Sequence, residues 1–263
     1  MPFTVSHAVV ALPFIRTPLV PAAIAIGSMI PDLPMFLRPL GLIGFTYSRT
    51  HDYAWLPMTA VAALIALLLW QCVLRVAAIE LAPRWVAERL PIRWSAPPRE
   101  AFRELWTSSR GPVTAVILLA LSLAVGVVTH ILWDSFTHEG RGGTVLAELD
   151  SLWGPLPAYK WLQYGSGLVG VVILACWAAV WWRLQLIHAV HRRTSRSVRV
   201  LWWLSLPLVQ VISAAVVIVD GAPEGESFTA GHIAYGMLPA VGAWGLASLG
   251  LCIVLAVRSR PQQ

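Results

Sequence analysis

Charge is scarce in this 263-residue sequence: Asp, Glu, Lys and Arg make up 12% of it, against 57% hydrophobic residues, about half the charge of an ordinary soluble domain. With a mean hydropathy of +0.70, that scarcity excludes a water-soluble fold. Lysine is almost missing, with one residue against 18 arginines. The three cysteines, Cys72, Cys176 and Cys252, each lie in an apolar run, which excludes a disulfide framework and CxxC metal spacing. No strand precedes Gly165-Ser-Gly-Leu-Val-Gly170, which opens an apolar segment, so no nucleotide partner is expected. Ser135 has no GxSxG turn around it. The pI near 9.8 would point to nucleic acid in a soluble protein. Here the arginines sit mostly in two blocks beside apolar runs and read as determinants of membrane topology, so no nucleic-acid partner is expected.

What is present in quantity is long apolar sequence. About 20 apolar residues cross a bilayer as a helix, and five stretches qualify: 54–78, 112–137, 161–186, 199–219 and 232–257. The segment 79–111 carries six arginines, Arg84 to Arg110, and 187–198 carries Arg192, Arg193 and Arg196. The positive-inside rule places both loops in the cytoplasm. His188 and His191 fall beside Arg192 and Arg193 and read as a solvated or headgroup-facing cluster. Arg75 and Arg183 are expected to snorkel to the same surface.

Residues 5–30 are too interrupted for a straight span, because Arg16 would sit near mid-membrane. Two short helices, 5–15 and 21–30, packed as a hairpin would bring His7 beside Asp32; a sixth span is the other arrangement. The N-terminus lacks a basic region ahead of its apolar stretch and is expected to stay in the mature protein. The expected fold is all-α: a polytopic integral membrane helical bundle forming one transmembrane domain over 1–263.

The second long run ends Thr129-His130-Ile-Leu-Trp-Asp134-Ser-Phe-Thr-His138-Glu139-Gly140. Residues four apart share a helix face, so His130, Asp134 and His138 project together, as ligands do in metal motifs built on one helix. Ionisable groups in an apolar run are expensive and are by default paired or functional. This end of the span lies on the outer side, as does the loop 31–53, which holds Asp32, His51 and Asp52. With the hairpin in place, His7, Asp32, His51, His130 and Asp134 form a candidate metal set, with His138 and Glu139 at its rim as candidate proton carriers. Imidazole and carboxylate ligands suit Zn²⁺, Mn²⁺ or Fe²⁺, zinc first.

Met1-Pro-Phe-Thr-Val-Ser-His7, Gly27-Ser-Met-Ile-Pro-Asp32, the run Thr129 to Gly140 and Leu156-Pro-Ala-Tyr-Lys-Trp-Leu-Gln163-Tyr-Gly-Ser166 together resemble a bacterial membrane-protein family catalogued as domain of unknown function 4184. More distantly, the chain resembles inner-membrane metal-dependent hydrolases. Their N-terminal His, Pro-Asp-x-Asp, pre-span His and His-x-x-x-Asp fall on His7, Asp32, His51, His130 and Asp134. The second Asp of Pro-Asp-x-Asp is Pro34 here. These likenesses imply a multi-pass protein of the bacterial inner membrane with a membrane-embedded metal site. The function expected is hydrolysis of a lipid or amphiphilic ester at the outer face, with membrane lipid as partner. The alternative is a non-enzymatic carrier or assembly factor with a buried His/Asp network.

Overall fold

The computed structural model describes residues 4–37, 44–107, 111–139, 146–221 and 228–258. Each long apolar run becomes a helix, since backbone polar groups in lipid must be satisfied within the segment itself. We number the principal helices α1 (Pro21–Gly27), α2 (Tyr53–Leu81), α3 (Pro112–Thr137), α4 (Ala158–Leu184), α5 (Arg196–Asp220) and α6 (Ala230–Arg258). α2 to α6 are long and apolar enough to cross a membrane, and they match the five expected spans with ends shifted by a few residues. The chain is therefore an all-α, multi-pass membrane protein. Its outward surface is apolar, as lipid demands, with Val113, Leu121, Val172, Leu201, Leu208 and Val219 all exposed. A two-residue hairpin, Leu152–Trp153 against Leu156–Pro157, is the only sheet among the described residues. Its turn needs Gly154, whose φ is +72°.

The N-terminal segment forms the expected hairpin. A 3₁₀ helix, Thr4–Phe14, turns back into α1, and the two pack against each other. Pro21 opens α1 with no amide hydrogen to satisfy. A second 3₁₀ turn, Ile30–Asp32, follows.

The chain clusters into two compact units. The first comprises 1–34, 43–69 and 102–185. In it α3 packs on α1 and on the first part of α2, and α4 packs on the Thr4–Phe14 helix. The closest approach is between α1 and α3, where a Cβ on Gly126 would lie 2.3 Å from the Ile24 carbonyl oxygen and one on Gly27 would lie 2.6 Å from that of Leu123. Backbone meets backbone there, as small residues permit between membrane helices. Ser122, one turn before Gly126, accepts a hydrogen bond from the Val20 amide at 2.9 Å, which otherwise has no helical partner. The buried stripe Ser122, Gly126, His130, Asp134 thus runs along one face of α3, four residues apart throughout.

The second unit comprises 35–42, 70–101 and 186–263. α5 and α6 pack along each other, and Ala77, Leu81 and Cys252 form its buried core with Trp202 and Leu255 against them. Indole N–H groups are satisfied within it: Trp202 donates to Ser248 and Trp244 to Ser205. Arg75 does not snorkel. It is 4% exposed, and its Nε donates to the Gln71 carbonyl beside the π-helical turn Trp70–Leu74. Such a turn leaves carbonyls without their usual helical donors.

Candidate metal centre

All the site residues expected from the sequence lie in the first unit, and four of them converge. One donor atom each from Asp32, His51, His130 and Asp134 lies within 4.8 Å of every other.

His130 is fully buried. Its Nδ1 is 2.7 Å from the carbonyl oxygen of Ser28, brought there by the Gly27–Gly126 contact. A carbonyl oxygen cannot donate, so Nδ1 carries a proton, and in the neutral imidazole Nε2 carries a lone pair. His51 repeats the arrangement. It ends the short helix Tyr47–Thr50, and its Nδ1 lies 2.8 Å from the Tyr47 carbonyl oxygen. Thr50 ties this helix to the Pro31 carbonyl at 2.7 Å, and Asp52 caps the start of α2 by accepting from the Ala54 amide. The two Nε2 atoms face each other at 3.1 Å. Two lone pairs at that distance repel unless a cation or a proton lies between them.

The carboxylates complete the ring. Thr4 Oγ1 donates to Asp32 Oδ2 at 2.8 Å, leaving Oδ1 toward the imidazoles, 3.7 Å from His51 Nε2 and 3.8 Å from His130 Nε2. Oδ1 is buried and has no hydrogen-bond partner among the described residues, an arrangement that costs free energy when nothing compensates it. Asp134 Oδ2 is 3.3 Å from His51 Nε2 and 3.5 Å from His130 Nε2. Four ligands about 2.1 Å from a tetrahedral ion stand about 3.4 Å apart, and the five separations of 3.1 to 3.8 Å bracket that value. A buried Asp/His/His/Asp group of this geometry can hold a metal ion, with each imidazole oriented by a carbonyl as metal-bound histidines usually are.

His7 stands beside these four. Its ring lies 4.1 Å from that of His130, and its Nε2 is 3.8 Å from Asp134 Oδ1. Burial, then the neighbouring His130, pushes its pKa down to about 3, so it offers a neutral imidazole at physiological pH. Burial pushes the Asp32 carboxyl in the opposite direction, up from the usual carboxylate range.

His138 Nδ1 lies 3.5 Å from Asp134 Oδ1. Its tautomer follows from a relay that the sequence did not disclose. Lys160 Nζ donates to Gln163 Oε1 at 3.2 Å, so the Gln163 amide nitrogen is the atom facing His138 Nε2. Nε2 must then accept, which leaves the proton on Nδ1, between Thr137 Oγ1 at 3.1 Å and Asp134 Oδ1 at 3.5 Å. Gln163 is buried within α4; it stands in one of the motifs that carry the family resemblance, but residue spacing gave it no role in the site. Glu139 turns elsewhere, accepting from the Tyr159 hydroxyl at 3.1 Å.

A cavity of about 550 Å³ opens beside the cluster. Its polar end is formed by His7, Asp32, Asp134 and His138, and its long wall by apolar residues including Val9, Trp133, Val169 and Ile173. Trp133, Val169 and Ile173 also lie on the exposed surface, so the wall continues to the lipid-facing side of α3 and α4. Glu139 is not part of the lining.

No curated protein and no solved structure matches the chain, and the likeness to inner-membrane hydrolases rests on the motif positions alone. A family model does match, over residues 1–256, and so takes in every residue of the cluster and nearly all the helices that position it. The chain belongs to the family described as domain of unknown function (DUF4184).

Proposed function

We propose that this chain holds one divalent ion, zinc first, on Asp32, His51, His130 and Asp134, and hydrolyses a lipid or another amphiphilic ester at the outer face of a bacterial inner membrane. The observation that carries the proposal is the pair of imidazole Nε2 atoms facing each other at 3.1 Å, each ring fixed by a backbone carbonyl. A bound ion there supplies a Lewis acid and a water nucleophile active near neutral pH. Asp32, Asp134 and His7 turn toward the cavity, so a scissile bond would approach from that side while His51 and His130 hold the ion from behind. The apolar wall would take the acyl portion. His138 lines the cavity and contacts Asp134, which suits it to carry a proton to the leaving group; Gln163 would position its ring.

The same facing lone pairs are also reconciled by a single shared proton, and that supports the second reading: a non-enzymatic carrier or assembly factor with a buried polar network. Elemental mass spectrometry of the purified, detergent-solubilised protein beside His130→Ala and Asp134→Ala separates the two. About one zinc or manganese per chain, lost in both variants, is the expected result and leads to a screen of lipid esters. No metal after reconstitution with zinc, manganese or iron refutes the hydrolase and leaves the proton-bridged network.

A further inference from the structure

The second unit contains a cavity that the proposed reaction does not use. It measures about 320 Å³ and is lined where the ends of α2, α5 and α6 meet residues 188–195. Its apolar lining includes Val76, Ile79, Leu251 and Leu255; its basic lining is Arg193 and Arg258, with His188 and His191. From Leu251 to Arg258 the lining follows α6 for about 10 Å, passing from hydrocarbon-like wall to cationic rim.

Glu80 is the acidic residue of the lining, and its carboxylate is already engaged. Oε2 accepts from the backbone amides of Arg193 and Thr194, each at 3.0 Å, and from Thr194 Oγ1 at 2.8 Å. This carboxylate fixes the loop rather than opposing an incoming anion. The Arg193 guanidinium donates to the Arg258 carbonyl, which brings the two arginines together and uses one of five donors. Arg192 is crowded as well: after burial, Arg199 and Arg84 push its pKa down, the mark of cations held close to one another. Just before the basic stretch, Leu186 and Ile187 are 87% and 64% exposed in a non-helical segment. Exposed apolar residues a few positions ahead of the Arg192-Arg193 pair match the boundary between acyl chains and headgroups.

We propose that this cavity binds the phosphate headgroup of an anionic phospholipid, with acyl chain lying along its apolar wall, as a site separate from the metal centre. Basic pockets among membrane helices recognise such headgroups by charge, and a ligand with an acyl chain uses both halves of the lining.

The test reconstitutes the full chain in phosphatidylcholine vesicles containing a minor fraction of phosphatidylglycerol, re-extracts it gently, and quantifies retained lipid by mass spectrometry. Phosphatidylglycerol should be enriched over its vesicle fraction. Enrichment should fall about five-fold in Arg193→Gln or Arg258→Gln, and about 25-fold in the double variant, the equivalent of ~1 kcal/mol per basic side chain. Unchanged melting of the variants in pure phosphatidylcholine checks their fold. If they melt lower, the unmodified chain decides the matter alone, since rising salt must erase its enrichment. His130→Ala should keep the enrichment, whatever becomes of its metal. Three results overturn the proposal: equal retention of the two lipids, displacement of phosphatidylglycerol by millimolar inorganic phosphate, which would make the site one for free phosphate, or an acidic protein co-purifying in place of lipid.

Discussion

Replacing Gly126 with alanine adds one methyl group a full helical turn from His130, on a residue that supplies no metal donor, yet it should disable the centre. The new Cβ would stand 2.3 Å from the Ile24 carbonyl oxygen, 2.8 Å from the Ser28 amide nitrogen and 2.9 Å from Gly27 Cα. All three are backbone atoms, so no side-chain rotation relieves the clash, and ordinary contact requires α1 to retreat by about 1 Å. Ser28 travels with α1, and its carbonyl fixes His130 Nδ1 at 2.7 Å. A retreat of that size breaks the bond and frees the imidazole to rotate. Losing such an orienting partner weakens metal binding about 10- to 100-fold, while overpacking costs about 1–3 kcal/mol of stability. Competitive titration against a fluorescent zinc chelator, with thermal melts alongside, reads both quantities. Gly165→Ala on α4, where a Cβ meets nothing within 4 Å, serves as the control. Zinc affinity within two-fold of the parent in Gly126→Ala would refute the reasoning that the glycine contact positions His130.

Two further predictions concern the surroundings of the four converging residues. Gln163→Leu removes the donor to His138 Nε2 and should lower kcat for any ester found in the screen about 10- to 100-fold, with the metal retained; an unchanged kcat and pH profile would remove Gln163 from the site. In metal-free protein, His7 has its pKa pushed down to about 3 from 6.5, so between those values the unfolded chain binds a proton that the native state refuses. Stability therefore falls as pH drops through that window, and His7→Gln should flatten the fall in Tm, a slope equal to the parent's being the contrary result.

The spans could be read from the sequence because crossing a bilayer is a demand on length and composition alone. The His130–Asp134 pair was equally visible, since a four-residue spacing on a helix fixes a shared face whatever the helix packs against. Placing Asp32 and His51 beside them needed only the choice of side for one loop, and the arginine blocks supplied it. The orienting groups on Ser28 and Tyr47 are backbone carbonyls, which any residue possesses and no residue type announces. The distinction between His7 and the four converging residues depends on differences of an ångström or two in donor position, below what residue spacing resolves. Arg75 resembled a snorkelling arginine because its surroundings depend on a π-helical turn that the apolar pattern does not encode.

The contact between α1 and α3 also has a consequence in time. The Val20–Ser122 and Ser28–His130 bonds each join residues 102 positions apart. At about 5–20 residues per second, α1 leaves the ribosome roughly 5–20 s before the face of α3 that will hold it. During that interval the N-terminal segment has no stable transmembrane position of its own, because Thr4–Phe14 and Pro21–Leu37 are shorter than a span. Asp32 and His51 are synthesised early and His130 and Asp134 late, so an ion can be enclosed only after α3, the second span, has arrived. Any metal loading then follows the docking of α3 on α1 and cannot be what first draws the N-terminal segment into shape.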